Sequence, residues 1–265
     1  MAPEFGCCDF HNPSTNMVNA FRTDANGLPM FDTFNSVYMK DSVHFRNNTW
    51  DPRLDHTVGI VTHPFKYKPK WIMKPGWRRA PFVYGTFSTM KEVTQYDDPT
   101  FRKYGAFMGS AMNFTVIRYD DVLLWKAEAL IQLNRSAEAL PLVNQVRVRA
   151  QNSTGLLKYS NGTYISNYMI QPYVDGVNCT WTKDYAWKAL MFERRVEFGM
   201  EGNRFFDLVR WGIAAETLNA YFATEKTRFV FLATANFTKG RDEYLYIPQI
   251  QINLVNGLYK QNNSW

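Results

Sequence analysis

The sequence lacks the residue patterns that usually mark metal and disulfide chemistry. Among its 265 residues there are 3 cysteines and 4 histidines. Cys7, Cys8 and Cys179 cannot all pair with one another, and none lies in a CxxC or a Cys/His zinc spacing. The histidines share no ligand spacing, and we interpret each as a loop or surface residue. The sequence therefore predicts no metal site and no cofactor.

Long apolar runs are also missing. No stretch approaches the roughly 18 apolar residues of a membrane-spanning helix. The first residues do not show the basic region followed by an apolar region that marks an export signal. Because Met1–Phe5 reads as an arbitrary start, we expect any export signal to lie upstream of Met1.

Concentrated positive charge is a third absence. Lys and Arg number 30 against 24 Asp and Glu, which gives a formal net charge of +6. The basic residues are dispersed, and the densest groups are only Lys66, Lys68 and Lys70 and the pair Arg78 and Arg79. No basic helix face or recognition motif accompanies them, so we expect no nucleic-acid partner.

Aromatic residues, by contrast, are abundant. The chain contains 8 Trp, 15 Tyr and 20 Phe, and its apolar fraction of 46% can fill the core of one large domain or two modest ones. Most of these rings are expected to pack inside. Some of this flat apolar surface is expected to face a ligand.

Patterning divides the chain into a loop-rich part and a helical part. Residues 1–112 are punctuated by Pro and Gly without a sustained helical period, which favours long ordered loops with short helices and strands. Residues 113–150 predict a first helical hairpin that breaks at 134–136, with Ser136 as the N-cap of its second helix. Pro141 is expected to delay or kink that helix. The apolar stripes fall on Tyr119, Leu123, Ala127 and Leu130, then on Ala139, Val143, Val146 and Ala150.

A second helical hairpin is predicted over residues 183–222. Its helices are expected at 183–200 and 204–221, and 223–265 should be irregular, with 230–232 as the best short strand. Recurring helix pairs indicate a mainly α, tetratricopeptide-like solenoid fragment with long loops and minor β structure. Because two pairs fall below the usual three, we expect further repeats upstream.

The most distinctive motif, ERRVEFGMEGNRFFDLVRWG, covers residues 193–212. Its charges recur at helical spacing: Glu193, Glu197 and Glu201 on one helix, and Arg204, Asp207 and Arg210 on the next. We predict a structural network of ion pairs between the two helices. The rival hypothesis is a glycoside hydrolase with paired carboxylates. Arginine neighbours would lower the carboxyl pKa values, which is wrong for a general acid. A carboxylate metal site would lack the accompanying histidines.

This motif resembles the signature of the SusD/RagB family of outer-membrane nutrient-binding lipoproteins. Four further segments agree in the family's order: TNMVNAF at 15–21 with GLP at 27–29; DPRL at 51–54; RYDDVLL at 118–124 with AEA at 127–129 and NQVR at 144–147; and IPQ at 247–249 with QN at 261–262. In DPRL we interpret Arg53 as the anchor of a loop. The segments span nearly the whole chain and resemble the C-terminal portion of the family.

The resemblance implies a lipid-anchored protein on the extracellular face of the cell outer membrane. It would bind an oligosaccharide or polysaccharide, without catalysis, and deliver it to a SusC-like TonB-dependent transporter. The family's lipoprotein signal and early helical repeats have no counterpart in this sequence. Cys7 and Cys8 also lack the apolar run that precedes a lipidated cysteine.

A sugar site calls for exposed flat aromatics beside polar partners in a concave region. The segment 63–84 offers the best local set, and Trp181 is a second choice. The candidate ligand-binding residues are Tyr67, Trp71, Trp77, Arg78, Tyr84 and Trp181. The alternative function is a helical-repeat module that recognises only a protein component of the uptake complex.

Overall fold

The computed structural model describes residues 9–39, 45–91, 93–105 and 107–265. It divides the chain into two compact units, Met1–Gly202 and Asn203–Trp265. The expectations for Cys7, Cys8 and His44 concern residues outside the described part of the chain.

Short elements make up the first half of the larger unit. Its antiparallel strand pairs are Arg22–Thr23 (β1) with Thr49–Trp50 (β2), Val58–Gly59 (β3) with Ser88–Thr89 (β6), Pro64–Phe65 (β4) with Lys68–Ile72 (β5), and Phe101–Tyr104 (β7) with Phe107–Ser110 (β8). Short α-helices cover Thr15–Asn19 (α1), Arg53–Thr57 (α2) and Pro81–Tyr84 (α3), and a 3₁₀ turn covers Pro75–Trp77. These pieces match the loops and minor β structure expected there.

Two long helices, Tyr119–Gln132 (α4) and Ser136–Gln151 (α5), form the first hairpin. α4 ends because Asn134 adopts a left-handed backbone with φ of 60°. The N–H of Arg135 then reaches the carbonyl of Leu130 at 2.8 Å, and the N–H of Asn134 reaches that of Ile131 at 3.1 Å. This is a Schellman-type C-cap. α5 starts at Ser136 without delay and continues through Pro141, so Ser136 is its first residue and not its N-cap.

The apolar stripes of this hairpin pack against a third helix, Lys183–Glu197 (α6). Leu123, Ala127 and Leu130 of α4 are buried as predicted, whereas Tyr119 is 68% exposed. All four stripe residues of α5 are buried, and α6 contributes Ala186, Ala189 and Leu190 to the same cluster. The three helices thus share one core.

The loop-rich part has its own core, which rests on the other side of α6. Trp50 stacks on Phe45 with ring centroids 5.0 Å apart and donates its indole N–H to the Phe45 carbonyl at 2.9 Å. Both belong to a buried cluster that includes Phe192 and Val196 of α6. α6 therefore supports the helical hairpin with one face and the loops with another.

The smaller unit contains Asn203–Arg210 (α7), Ala214–Glu225 (α8), a 3₁₀ turn at Val230–Leu232 and Gln249–Leu254 (α9). The single helix predicted over 204–221 is wrong, because Gly212, with φ of 72°, ends α7 in another Schellman-type cap. The strand predicted at 230–232 is a 3₁₀ turn instead. At the end of the chain, the Gln261 side chain bonds both the N–H and the carbonyl of Ile247, at 2.8 and 2.9 Å.

The predicted fold class is confirmed: the protein is mainly α, with tetratricopeptide-like helical hairpins, long loops and minor β structure. The helices in the described part of the chain are all too short or too polar to span a bilayer.

Gly27 gives a test of how closely the first loops approach the connection that follows α5. Its φ is 71°, and a Cβ there would lie 2.9 Å from the backbone nitrogen of Gln171. We expect Gly27→Ala to lower the free energy of unfolding by about 2–4 kcal/mol, through backbone strain and steric overlap together. Urea denaturation measures the change.

Gly162 is the matched control for this substitution. Its φ of 85° is equally left-handed, but a Cβ added there would have no heavy atom within 4 Å. Gly162→Ala should therefore show only the backbone strain of about 1–2 kcal/mol. Equal losses in the two variants would contradict the close approach at Gly27.

Candidate functional site

A buried ion-pair network joins the loops to the helices. Arg53 of α2, almost fully buried, bonds Asp51 at 2.5 Å, Glu193 at 2.6 Å and Glu197 at 3.1 Å. The two glutamates lie one turn apart on α6. Arg53 therefore anchors its loop, as interpreted from DPRL, and the anchoring partners are helix carboxylates 140 and 144 residues away.

Glu193 extends the network to the first hairpin. Its second carboxylate oxygen accepts from Arg147 of α5 at 3.0 Å, and both side chains are buried. Arg147 also donates to the carbonyls of Gly27 and Gln171, at 3.0 and 2.8 Å. One carboxylate thus holds two guanidinium groups from different parts of the chain.

Glu193, Glu197 and Glu201 form a line that runs toward solvent, and we call it the acidic row. Glu197 accepts from Arg118 at 2.9 Å and from Arg149 at 2.6 Å, and Glu201 accepts from Arg118 at 3.0 Å and from Lys91. These cations lie in loops and on α5, outside the helix pair in which the partners were predicted. The sequence did not indicate these partners, because they lie far from the glutamates along the chain.

The other half of the predicted network lies in the smaller unit. There Arg210 bonds Asp207 at 2.8 Å within α7, and Arg204 and Arg210 both lie over the ring of Trp211.

The network controls the ionisation of Glu197. Burial favours the neutral acid, but the charge of Arg53, followed by those of Arg149, Lys91 and Arg118, outweighs burial and lowers the pKa of Glu197 to about 2. A carboxyl group in this state is a poor general acid, which weakens the hydrolase hypothesis.

A second buried cluster surrounds Asp55 of α2. Its carboxylate bonds His63 at 2.6 Å, Ser166 at 2.7 Å and Tyr168 at 2.8 Å. Burial opposes ionisation, but the histidine and these hydrogen bonds lower the pKa of Asp55. His63 lies in a loop, as one of the two expected placements, and its side chain is buried there.

A cavity of about 300 Å³ opens at the outer end of the network. Its charged lining comprises five cations and two carboxylates: Arg53, Lys66, Lys91, Arg118 and Arg149, with Glu197 and Glu201. His56 and Tyr67 complete one wall, where the Nδ1 of His56 lies 3.0 Å from the Tyr67 hydroxyl. We call this space the basic cavity.

The turn between β4 and β5 places two side chains in the basic cavity. Lys66 and Tyr67 form a two-residue hairpin loop with φ values of 46° and 62°. Such type I′ geometry favours Asn and Gly, and larger residues there carry strain of about 1–2 kcal/mol each. The Lys66 ammonium donates to the Met90 carbonyl at 2.5 Å.

A separate concave surface of about 440 Å³ lies along β5. We call it the aromatic shelf, and it is lined by Lys68, Pro69, Lys70, Trp71, Tyr96 and Ser160. The rings of Trp71 and Tyr96 meet edge to face, with centroids 4.7 Å apart. Trp71 also packs against the rings of Phe65 and Trp77, and these contacts hold its side chain in position.

The six predicted ligand-binding residues separate in the structure. Trp71 lines the aromatic shelf and Tyr67 the basic cavity, whereas the half-buried Arg78 and the exposed Tyr84 line neither. Trp77 and Trp181 require correction, because both are buried and their faces pack on protein. The indole of Trp181 donates to the Ser136 carbonyl at 2.8 Å.

Sequence reasoning missed Tyr96 and Ser160 on the shelf and the contribution of Arg149 to the cavity. These residues lie far from 63–84 in sequence, and no periodic pattern links them to it. The cluster of Lys66, Lys68 and Lys70 was the available signal, since all three line one of the two concavities. Over the described residues, His, Cys, Asp and Glu form no group of three or more that could hold a metal ion.

Family comparison agrees with the motifs. The SusD family model matches residues 2–265, and the chain belongs to the SusD family. A curated relative, SusD-like protein P38 from Formosa agariphila, is 35% identical over 119 residues, which cover 45% of this chain and 21% of that protein.

Solved structures show the same fold. A SusD superfamily protein from Bacteroides vulgatus matches with a TM-score of 0.58 and 22% identity, over 96% of this chain and 44% of its own. A SusD homolog from Bacteroides thetaiotaomicron gives 0.55 and 23%, over 81% and 41%. A SusD-like protein from Bacteroides fragilis gives 0.60 and 16%, over 96% and 46%. This chain therefore spans less than half the length of each.

Glu193→Gln tests the buried network. The amide keeps the shape of the side chain but leaves the buried guanidinium groups of Arg53 and Arg147 without this counter-charge. We expect the free energy of unfolding to fall by on the order of 3–5 kcal/mol. Thermal and urea denaturation measure it, with Glu138→Gln as the control in the exposed Arg135–Glu138 pair. The control should melt as the wild type does, and equal stability of both variants would contradict the role of the network.

Acid denaturation tests the ionisation of Glu197. Because its pKa is 4.5 unperturbed and about 2 when folded, the unfolded state takes up the proton first as pH falls. The stabilising contribution is complete above about pH 4.5 and is lost toward pH 2, a loss of on the order of 3 kcal/mol. Urea titrations at several pH values should show a flatter dependence for Glu197→Gln than for the wild type. Parallel curves would count against the assignment.

Proposed function

We propose that this chain takes part in the non-catalytic binding of an oligosaccharide or polysaccharide at the cell surface, for delivery to a SusC-like TonB-dependent transporter. The localisation proposed is the extracellular face of the outer membrane, with a lipid anchor. Membership of the SusD family supports this role. The single structural observation that carries it is the aromatic shelf.

The shelf has the chemistry that a sugar ring requires. A pyranose presents an apolar C–H face, which stacks on aromatic rings, and a rim of hydroxyl groups, which need hydrogen-bonding partners. Trp71 and Tyr96 supply the rings, and Tyr96 is 39% exposed. Lys68, Lys70 and Ser160 supply polar groups at the edge.

The rings are also held in position before a ligand arrives. Trp71 contacts Phe65 and Trp77 edge-on or tilted, at centroid distances of 5.2 Å each. Lys68 bonds Asp97 at 2.7 Å, next to Tyr96 in the sequence. Because these contacts limit side-chain motion, binding loses less conformational entropy.

Tyr96→Ala tests sugar binding at the shelf. Removal of one stacking ring should weaken binding of a responsive oligosaccharide about tenfold in a calorimetric titration. Tyr104→Ala, which removes an exposed ring on β7, is the matched control and should bind as the wild type does. Trp71→Phe provides a second variant with a smaller change in the core. If a broad panel of soluble oligosaccharides gives no saturable heat with the wild type, sugar binding by this chain is refuted.

The same panel separates binding from hydrolysis. Prolonged incubation should release no reducing ends, because the pKa of Glu197 is too low for a general acid and Glu193 is bonded to two guanidinium groups. Accumulating reducing ends would favour the glycoside hydrolase hypothesis instead.

A second candidate function is a helical-repeat module that binds only a protein of the uptake complex. The observation that favours it is an exposed apolar stripe on α4, formed by Tyr119, Val122 and Trp125, which are 68%, 47% and 42% exposed. Stripes of this kind occur at protein interaction sites. Two results together would favour this function. No oligosaccharide of the panel would show saturable binding, and the chain would bind a purified transporter in a way that Val122→Glu abolishes.

A further inference from the structure

The basic cavity contains a positive charge that no carboxylate balances. Glu197 already accepts from Arg53, Arg118 and Arg149, and Glu201 accepts from Arg118 and Lys91. From outside the lining, Asp51 and Glu193 neutralise Arg53. Asp120, also outside the lining, bonds Arg118 and lies 3.9 Å from Arg149. Lys66 differs from these cations, since within the described residues no ion pair joins it to a carboxylate and its hydrogen-bond acceptor is the Met90 carbonyl.

Unbalanced charge in a partly enclosed space is unfavourable unless something compensates it. Burial, with a further contribution from the charge of Lys91, lowers the pKa of Lys66 to about 8. The group therefore remains mostly protonated at neutral pH. An anion in the cavity would stabilise this charged form.

Backbone strain at the same position supports a role in binding. Lys66 and Tyr67 both adopt left-handed backbone conformations in the β4–β5 turn, and both side chains line the cavity. Strained non-glycine residues occur preferentially at ligand sites, where the surrounding structure holds them. Here the hydrogen bonds of Lys66 to Met90 and of Tyr67 to His56 hold the turn.

Access and size also fit a small ligand. Arg149, whose side chain is 52% exposed, lies where the cavity meets solvent and uses one guanidinium nitrogen for its bond to Glu197. The volume of about 300 Å³ is at the lower end of the range for ligand pockets. It accommodates an oxyanion or one acidic sugar residue.

We propose that the basic cavity is an anion-binding site that takes one carboxylate, sulfate or phosphate group, held chiefly by Lys66 and Arg149. Lysine and arginine donors bind oxyanions through charge-assisted hydrogen bonds. The site is distinct from the aromatic shelf, and it does not depend on sugar binding there. The group can come from a free inorganic anion or from an acidic sugar.

Titrations at constant ionic strength test this site. Sodium sulfate is compared with sodium chloride, so that general screening is matched, and sodium glucuronate is compared with neutral glucose. We expect saturable binding of sulfate by calorimetry, accompanied by a rise in the melting temperature. Tighter binding of glucuronate than of sulfate would assign the site to an acidic sugar, and the reverse would assign it to a free anion.

Two variants locate the binding. Lys66→Met should weaken sulfate binding at least about tenfold, because a charge-assisted hydrogen bond is lost. Arg149→Met, at a half-exposed helix position, should weaken it as well and remains informative if Lys66→Met does not fold. Lys126→Met, on the exposed surface of α4, is the matched control and should bind as the wild type does. No saturable effect of either sulfate or glucuronate, or unchanged affinity in both cavity variants, would overturn the proposal.

Discussion

The fold depends on the pairing of charged side chains that are buried in the protein interior. Arg53, Arg147, Glu193 and Glu197 are all at least 96% buried, and a charge at such depth is tolerated only when a partner of opposite sign contacts it. Each arrangement that leaves one of them unpaired is therefore strongly unfavourable. Because the partners come from α2, α5 and α6, this requirement fixes the loop-rich part against the helices more specifically than apolar packing could.

The same requirement determines where binding surfaces can form. The interior end of the acidic row is fully paired, and its outer end meets solvent at Glu201, where Lys91 and Arg118 line the basic cavity. The β4–β5 hairpin supplies side chains to both the basic cavity and the aromatic shelf. Its turn directs Lys66 and Tyr67 to charged surroundings, and its second strand carries Trp71 to the aromatic shelf. One short hairpin thereby contributes to both concavities.

Helices were more predictable from the sequence than loops, for a physical reason. The stripe of Leu123, Ala127 and Leu130 reflects a local 3.6-residue period, so one face of α4 could be identified without knowing its partner. The end of α7 depended on Gly212 adopting a left-handed cap, which a glycine permits but does not require. In the loops, Trp71, Trp77 and Trp181 look alike in sequence. Their burial is decided by contacts such as that of Trp181 with Ser136, 45 residues away.

Long-range pairing explains why the acidic row was recognised but its partners were not. The i, i+4 spacing of Glu193 and Glu197 is a property of one helix, whereas their bonds to Arg53, 140 and 144 residues away, are a property of the assembled chain. Arg53 has a planar guanidinium group that satisfies Asp51 and two glutamates at once. A lysine could supply the charge at that position but not the fixed directions of its donors.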